Sequence, residues 1–249
     1  MNQYDIFKRV NTFKIFTQFV DYKNETILDF GGNRGNLIHF SDGKILPEKY
    51  TSMDVSKNAL NELLEEFPNA KTIYWNRHHQ TYNPQGNKNE QFPGFNGFLG
   101  ALTINSLSYD MSFANSVFTH MDLKEILFCI RGLQIISNEI NFTYIDPENT
   151  RIFEVLRKRH NAIDLTDEEI ANLSDHKISY ILNRNKVVNQ VREPYKDIWT
   201  VIKTDFLKEA IINSSAFAIS IESGMTTGFN WMKIKVRDRL PANVGIIGY

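Results

Sequence analysis

Residues 26–38 read TILDFGGNRGNLI, an apolar run that ends at Asp29 and Phe30 and breaks at once into Gly31, Gly32 and Gly35. A short apolar run followed by a glycine cluster predicts a buried strand that turns sharply into a helix. Glycine lets backbone approach a ligand closely and adopts φ values that other residues resist, and the helix start offers N–H groups with no partner in the helix. Such a turn can cradle a cofactor. Its spacing is not the dinucleotide fingerprint G-x-G-x-x-G, because Asn33 stands where the second glycine belongs, and this argues against a nicotinamide.

The same unit repeats downstream. YTSMDVS (50–56) reads as a second strand and KNALNELLEEF (57–67) as an amphipathic helix, which Pro68 and Asn69 end before KTIYW (71–75), a third strand. Asp54 closes the second strand about twenty residues past the glycine turn, a separation at which an acid accepts hydrogen bonds from ribose hydroxyls; an aspartate there also suits the cap of the next helix. Residues 77–106 lack a period and are rich in Asn, Gly, Pro and Gln, as expected of a long loop with a task. YDMSFAN (109–115), a helix over 121–136 and EINFTYID (139–146) restore the alternation, and five strands with intervening helices predict a parallel sheet.

The two ends and one insertion complete the chain. Apolar residues from Ile6 to Val20 recur at mostly three- and four-residue steps, predicting a cap helix within 1–24. Residues 149–202 read as an inserted lid with a helix at RIFEVLRKRH, a capping box at Thr166 and Glu169, and added strands in KISYILNRNKVV. DFLKEAIINSS predicts a helix, and FAISIES and FNWMKIKV a terminal hairpin.

Composition bounds the partners. The chain has 249 residues, 42% hydrophobic and 23% charged, and a formal charge of -1, which fits one globular domain and gives no basic field for nucleic acid. Cys129, the single cysteine, lies in the apolar run ILFCI and reads as a buried small hydrophobe in a reducing, cytoplasmic setting. The N-terminus lacks the order of a signal peptide, and no apolar run is long enough to cross a bilayer. No Asp, Glu and His spacing suggests a metal site.

LDFGGNRG, MDVSKNAL, YDMSFANSVFTHMD and EINFTYIDP, in this order and covering about half of the chain, resemble the class I S-adenosylmethionine-dependent methyltransferases. The resemblance implies an α/β fold: a Rossmann-like, seven-stranded, mostly parallel sheet with helices on both faces, closed by an antiparallel hairpin strand. It implies S-adenosyl-L-methionine as cofactor, with Gly31, Gly32, Asn33 and Gly35 against its methionine and ribose and Asp29 ordering the turn. Asp54 would hold the ribose hydroxyls and Val55 flank the adenine. Asn76 would stand where many members place an acidic or amide residue near the adenine amino group, although WNRHH replaces the more usual Gly-Asp pair. Asn115, Ser116 and Val117 would line the cofactor at the end of the fourth strand.

Methyl transfer requires a held nucleophile and, for many acceptors, removal of a proton. His120, just past the fourth strand, is the first candidate base; a helix-start role is its other reading. His79 and Tyr82 in the long loop are the next. The expected activity is methylation of an O or N atom of a small molecule in a cleft capped by aromatic residues. A cofactor-sensing regulatory module and an NAD-dependent dehydrogenase are the alternatives.

Overall fold

Strand β1, Ile27–Phe30, is buried along its whole length, as befits a strand covered on both faces. Its side chains alternate: Ile27 packs with Leu37, Leu63, Met111 and Phe113, while Leu28 and Phe30 pack with Ile130, Leu133, Phe142 and Leu207 on the other face. The computed structural model describes residues 12–17, 25–78, 83–87, 108–146, 188–192, 198–225 and 229–237.

Four further strands run parallel to β1: β2 (Tyr50–Asp54), β3 (Lys71–Tyr74), β4 (Tyr109–Ala114) and β5 (Ser137–Tyr144). A two-stranded antiparallel ladder, β6 (Val188–Arg192) with β7 (Ile198–Ile202), forms a second small sheet. The final hairpin, β8 (Ile219–Met225) and β9 (Asn230–Val236), joins the main sheet through β9, antiparallel to β5. The main sheet is therefore ordered β3-β2-β1-β4-β5-β9-β8. Chain order reverses between β1 and β4, and open α/β sheets bind ligands at such a switch point, beyond the carboxyl ends of the strands.

Helices cover both faces. After the glycine turn comes a single helical turn, α1 (Asn36–His39), and then α2 (Lys57–Glu66), whose start is capped by the Ser56 hydroxyl accepting from Ala59 N–H at 3.3 Å. Helix α3 (Leu123–Ile136) begins with a full capping box between Asp122 and Glu125 and passes directly into β5. That direct passage starts β5 two residues earlier than the sequence pattern predicts. Helix α4 (Thr204–Ser214) has no cap of its own; Asp146, at the end of β5, accepts from Thr204 N–H at 2.8 Å and from its hydroxyl.

The described part of the N-terminal segment, 12–17, is helical and lies against the sheet, with Phe16 edge-on to Phe113 at 5.1 Å between ring centroids. Within the expected insertion, β6 begins at the last residue of KISYILNRNKVV, and the predicted Thr166–Glu169 capping box lies outside the described residues. Among the described residues no helix is long and apolar enough to cross a membrane.

Candidate active site

The glycine turn is stitched to β2. Gly31, at φ 74°, donates its N–H to Met53 carbonyl at 2.7 Å. A Cβ on Gly31 would sit 2.4 Å from Cγ2 of Val117, so this position brings β1 against the turn after β4 in a way only glycine allows. Asn33, at φ 54°, donates its N–H to Asp54 Oδ2 at 2.9 Å, and Ser56 N–H donates to Oδ1 at 2.7 Å. Burial pushes the Asp54 carboxyl above its ordinary pKa, and the hydrogen bonds from Ser56, Asn33 and Val55 pull against that. Two backbone donors fix the carboxylate and leave it acceptor capacity for a ligand.

Asp29 lies behind the turn. It is 3% exposed and accepts from the Tyr50 hydroxyl at 2.5 Å. Burial pushes its pKa up to about 7, with Tyr50 lowering it and the nearby Asp54 raising it. Gly32 packs onto this acid: a Cβ there would stand 2.5 Å from Ser52 Oγ and 2.8 Å from the Asp29 carboxyl. Gly35 packs onto α2, 2.4 Å from Leu63 by the same measure.

The opposite wall is a chain of polar contacts past β4. Ser116, at φ 58°, donates its N–H to Thr143 Oγ1 at 2.7 Å; Thr143 donates to Asn115 Oδ1 at 3.2 Å; Asn115 Nδ2 donates to Thr12 Oγ1 at 3.0 Å. The last bond ties the N-terminal helical segment to the sheet edge. His120 ends a single 3-10 turn, Phe118–His120, and the following residue, Met121, gives its carbonyl to Thr200 of β7 at 2.5 Å.

Between these walls lies a cleft of about 260 Å³. No protein-family model matches the sequence, and no curated protein does. Solved structures match in shape. PH0226 protein from Pyrococcus horikoshii OT3 is 10% identical, with a TM-score of 0.55 over 95% of this chain and 93% of its own. Magnesium protoporphyrin IX methyltransferase from Synechocystis PCC 6803, solved with bound SAH, is 13% identical, with a TM-score of 0.50 over 94% and 84%. The glycopeptide N-methyltransferase MtfA, complexed with S-adenosyl-L-homocysteine, is 7% identical, with a TM-score of 0.51 over 92% and 90%. This chain has the class I S-adenosylmethionine-dependent methyltransferase fold.

The structure brings most of the sequence-predicted residues to that cleft. Gly31, Asn33, Asp54 and Val55 line it from β1 and β2, and Asn115, Ser116, Val117 and His120 from the turn after β4. Asp29, Gly32 and Gly35 do not line it and support the turn from behind. Asn76 is not among the residues that line the cleft: it is exposed, and its Oδ1 accepts from the Tyr74 hydroxyl at 2.9 Å and from Asn83 Nδ2 at 3.5 Å. Trp75 and Arg77 line the cleft in its place. Strand parity was the available signal, because residues 75 and 77 share the face of buried Ile73 while 76 shares that of exposed Tyr74. Phe30, Met53, Met121 and, from the N-terminal segment, Thr12 and Ile15 also line the cleft unpredicted. His79 and Tyr82 lie outside the described residues. Among the described residues no group of three or more His, Cys, Asp or Glu is placed to hold a metal.

The cleft suits a nucleoside with a polar tail. A glycine-lined turn with a close backbone approach, a carboxylate fixed by two N–H donors, and the apolar side chains of Met53 and Val55 stand along one path from β1 to β2, and Val117 lines the cleft from the turn after β4. Asp54 would hold ribose hydroxyls, and the apolar group would flank a base.

Proposed function

We propose that this chain is an S-adenosylmethionine-dependent methyltransferase acting on an O or N atom of a small molecule. The observation that carries the reading is Asp54, held at the end of β2 by Asn33 and Ser56 beside the glycine turn, in a cleft whose other wall is the turn Asn115–Val117 after β4 at the switch point. When bound, S-adenosylmethionine supplies an electrophilic methyl group. The protein's share is to hold the nucleoside through Asp54 and the glycine turn, to keep the acceptor in line, and to exclude water. His120, on the cleft wall beyond Val117, is the group to take a proton from the acceptor.

A cleft of about 260 Å³ with many apolar side chains, and a formal charge of -1, favour a small acceptor over nucleic acid. The chain is read as one methyltransferase domain over 1–249, with residues 1–24 as cap and 149–202 as lid, a reading supported by the Thr12–Asn115 and Thr200–Met121 bonds. A cytoplasmic setting fits Cys129, which is buried and whose thiol burial pushes up to about 12.

Calorimetric titration with S-adenosylmethionine, S-adenosylhomocysteine and NAD tests the reading, followed by a search for S-adenosylhomocysteine production with a metabolite pool. Binding of both adenosyl compounds with turnover supports it. Binding without turnover on any fraction favours a regulatory module, and binding of NAD alone overturns it.

A further inference from the structure

The 3-10 turn that carries His120 is bolted down on both sides of it. Phe118, at the start of the turn, is buried, edge-on to Phe142 at 5.0 Å between ring centroids and 5.9 Å from Phe30. The buried Thr119 hydroxyl meets the Ser116 hydroxyl at 3.3 Å, and Ser116 is held through its N–H by Thr143. On the far side the Met121 carbonyl accepts from the Thr200 hydroxyl at 2.5 Å. Of residues 118–121, His120 alone is not buried, and it lines the cleft. A turn of three residues has no helix to hold it and has poor hydrogen-bond geometry, so the place of His120 on the cleft wall is set by what fixes its neighbours.

Thr200 is the neighbour that comes from farthest away, 79 residues along the chain from Met121. It is 2% exposed and lies in β7, whose next residues, Val201 and Ile202, are also buried. The strand is fastened to the main sheet, because Ile202 N–H donates to the Ile145 carbonyl just past β5 at 2.8 Å. A hydroxyl at such a buried strand position costs desolvation unless it is bonded, and valine would fill the same space without it. The bond to Met121 is therefore what threonine contributes here. Because β7 pairs with β6, the same bond carries the described end of the 149–202 segment onto the turn.

We propose that Thr200 is a positioning residue for His120: its hydroxyl, donated to the Met121 carbonyl, fixes the end of the 3-10 turn and so couples the β6–β7 ladder to the methyl-transfer step. The inference rests on the reading of His120 as the group that takes a proton from the acceptor. Thr200 itself does not line the cleft, and it acts on the reaction only through the turn. A catalytic group displaced by about 1 Å can lose on the order of a hundredfold in rate, so one bond at the end of so short a turn is enough to matter.

The test is a double-variant cycle on the full chain, with S-adenosylmethionine and the metabolite fraction that supports turnover as substrates and S-adenosylhomocysteine release as the readout. Thr200→Val removes the donor and is expected to lower the saturated rate about tenfold or more, with calorimetric affinity for S-adenosylhomocysteine kept within about twofold. In the His120→Ala background the same substitution is expected to change the rate by less than about twofold, because a residue that acts through another has nothing left to act on. Thr200→Ser keeps the hydroxyl and is expected to restore the parent rate. An equal fractional loss in both backgrounds, an unchanged rate in Thr200→Val, or no restoration by serine overturns the inference while the methyltransferase reading stands. Parent-like rates in His120→Ala overturn the base reading, and no turnover with any fraction overturns the methyltransferase reading; either takes this inference with it. Hydrogen exchange on the parent decides the matter if Thr200→Val does not fold. The amides of His120 and Met121 are expected to open together with that of Ile202, within about tenfold in protection, and turn amides that exchange faster than that overturn the inference.

Discussion

Asn33 and Asp54 meet across 2.9 Å, the backbone N–H of one donating to Oδ2 of the other, and this bond joins the glycine turn to the second strand. Asn33 reaches it only by holding φ at 54°, a conformation asparagine tolerates better than most residues. The turn thus sets the carboxylate's direction before any ligand arrives, which lowers the ordering that binding must supply. Asp54→Asn keeps one oxygen acceptor for these N–H groups and removes the charge. Hydrogen bonds to a charged acceptor are worth about 1.5–3 kcal/mol, so the variant should bind S-adenosylhomocysteine on the order of tenfold to a hundredfold more weakly by calorimetry. An unchanged constant in a folded variant removes Asp54 from the ribose site.

Gly31 tests whether the close approach to Val117 is structural in its own right. Gly31→Ala places a Cβ 2.4 Å from Val117 Cγ2 at a φ of 74°, and it should lose roughly 1–3 kcal/mol in urea unfolding. Adding Val117→Ala relieves the clash but not the backbone strain, so the double variant should recover part of that loss. Full recovery would show that strain at Gly31 contributes nothing, and no loss in the single variant would show that the turn can move.

Much of this site was legible in the residues, for identifiable reasons. The continuous burial of β1 and its glycine turn follow from Ile27–Phe30 and Gly31–Gly35 alone, because apolar strands and glycine turns are local features. The capping box of α3 was legible as Asp122 and Glu125 three residues apart, but the only box read from the sequence was at 166–169. Trp75 and Arg77 line the cleft where the resemblance points to Asn76, because the resemblance fixes a position after β3 only to within a residue, and one step along an extended chain turns a side chain to the other face. Thr12 and Thr143 were invisible, since their bonds to Asn115 span 103 and 28 residues.

Asp29 predicts a pH dependence of stability. Its pKa in the folded chain is about 7 against an ordinary 3.8, so the folded state keeps a proton that the unfolded chain gives up. Its stabilising contribution is fully present below a pH of about 4 and is lost as pH rises through about 7, beyond which it is constant. Relative to Asp29→Asn, which does not titrate, the parent should lose roughly 2–4 kcal/mol of unfolding free energy across that window. Parallel urea midpoints for parent and variant from about pH 4 to 8 would mean that Tyr50 holds the carboxylate ionised throughout.

His120 carries the most specific claim about chemistry. It lines the cleft at the end of the 3-10 turn that follows Val117, close to where β4 gives way to α3, while Asp54 and the glycine turn occupy the β1–β2 side. A group so placed is set to meet the acceptor rather than the nucleoside. As a general base it should contribute on the order of a hundredfold or more to turnover, and His120→Ala should lose that much in kcat with little change in S-adenosylhomocysteine affinity. The low-pH limb of the parent's rate profile should vanish in the variant, because the group that must lose its proton is gone. A role in merely orienting the acceptor gives a smaller loss in kcat and an unchanged profile. A role in packing the 3-10 turn lowers the melting temperature and leaves activity intact at low temperature. Matching rates and coincident profiles would show that the acceptor needs no base from this wall, and His79 with Tyr82 would be the pair to replace next.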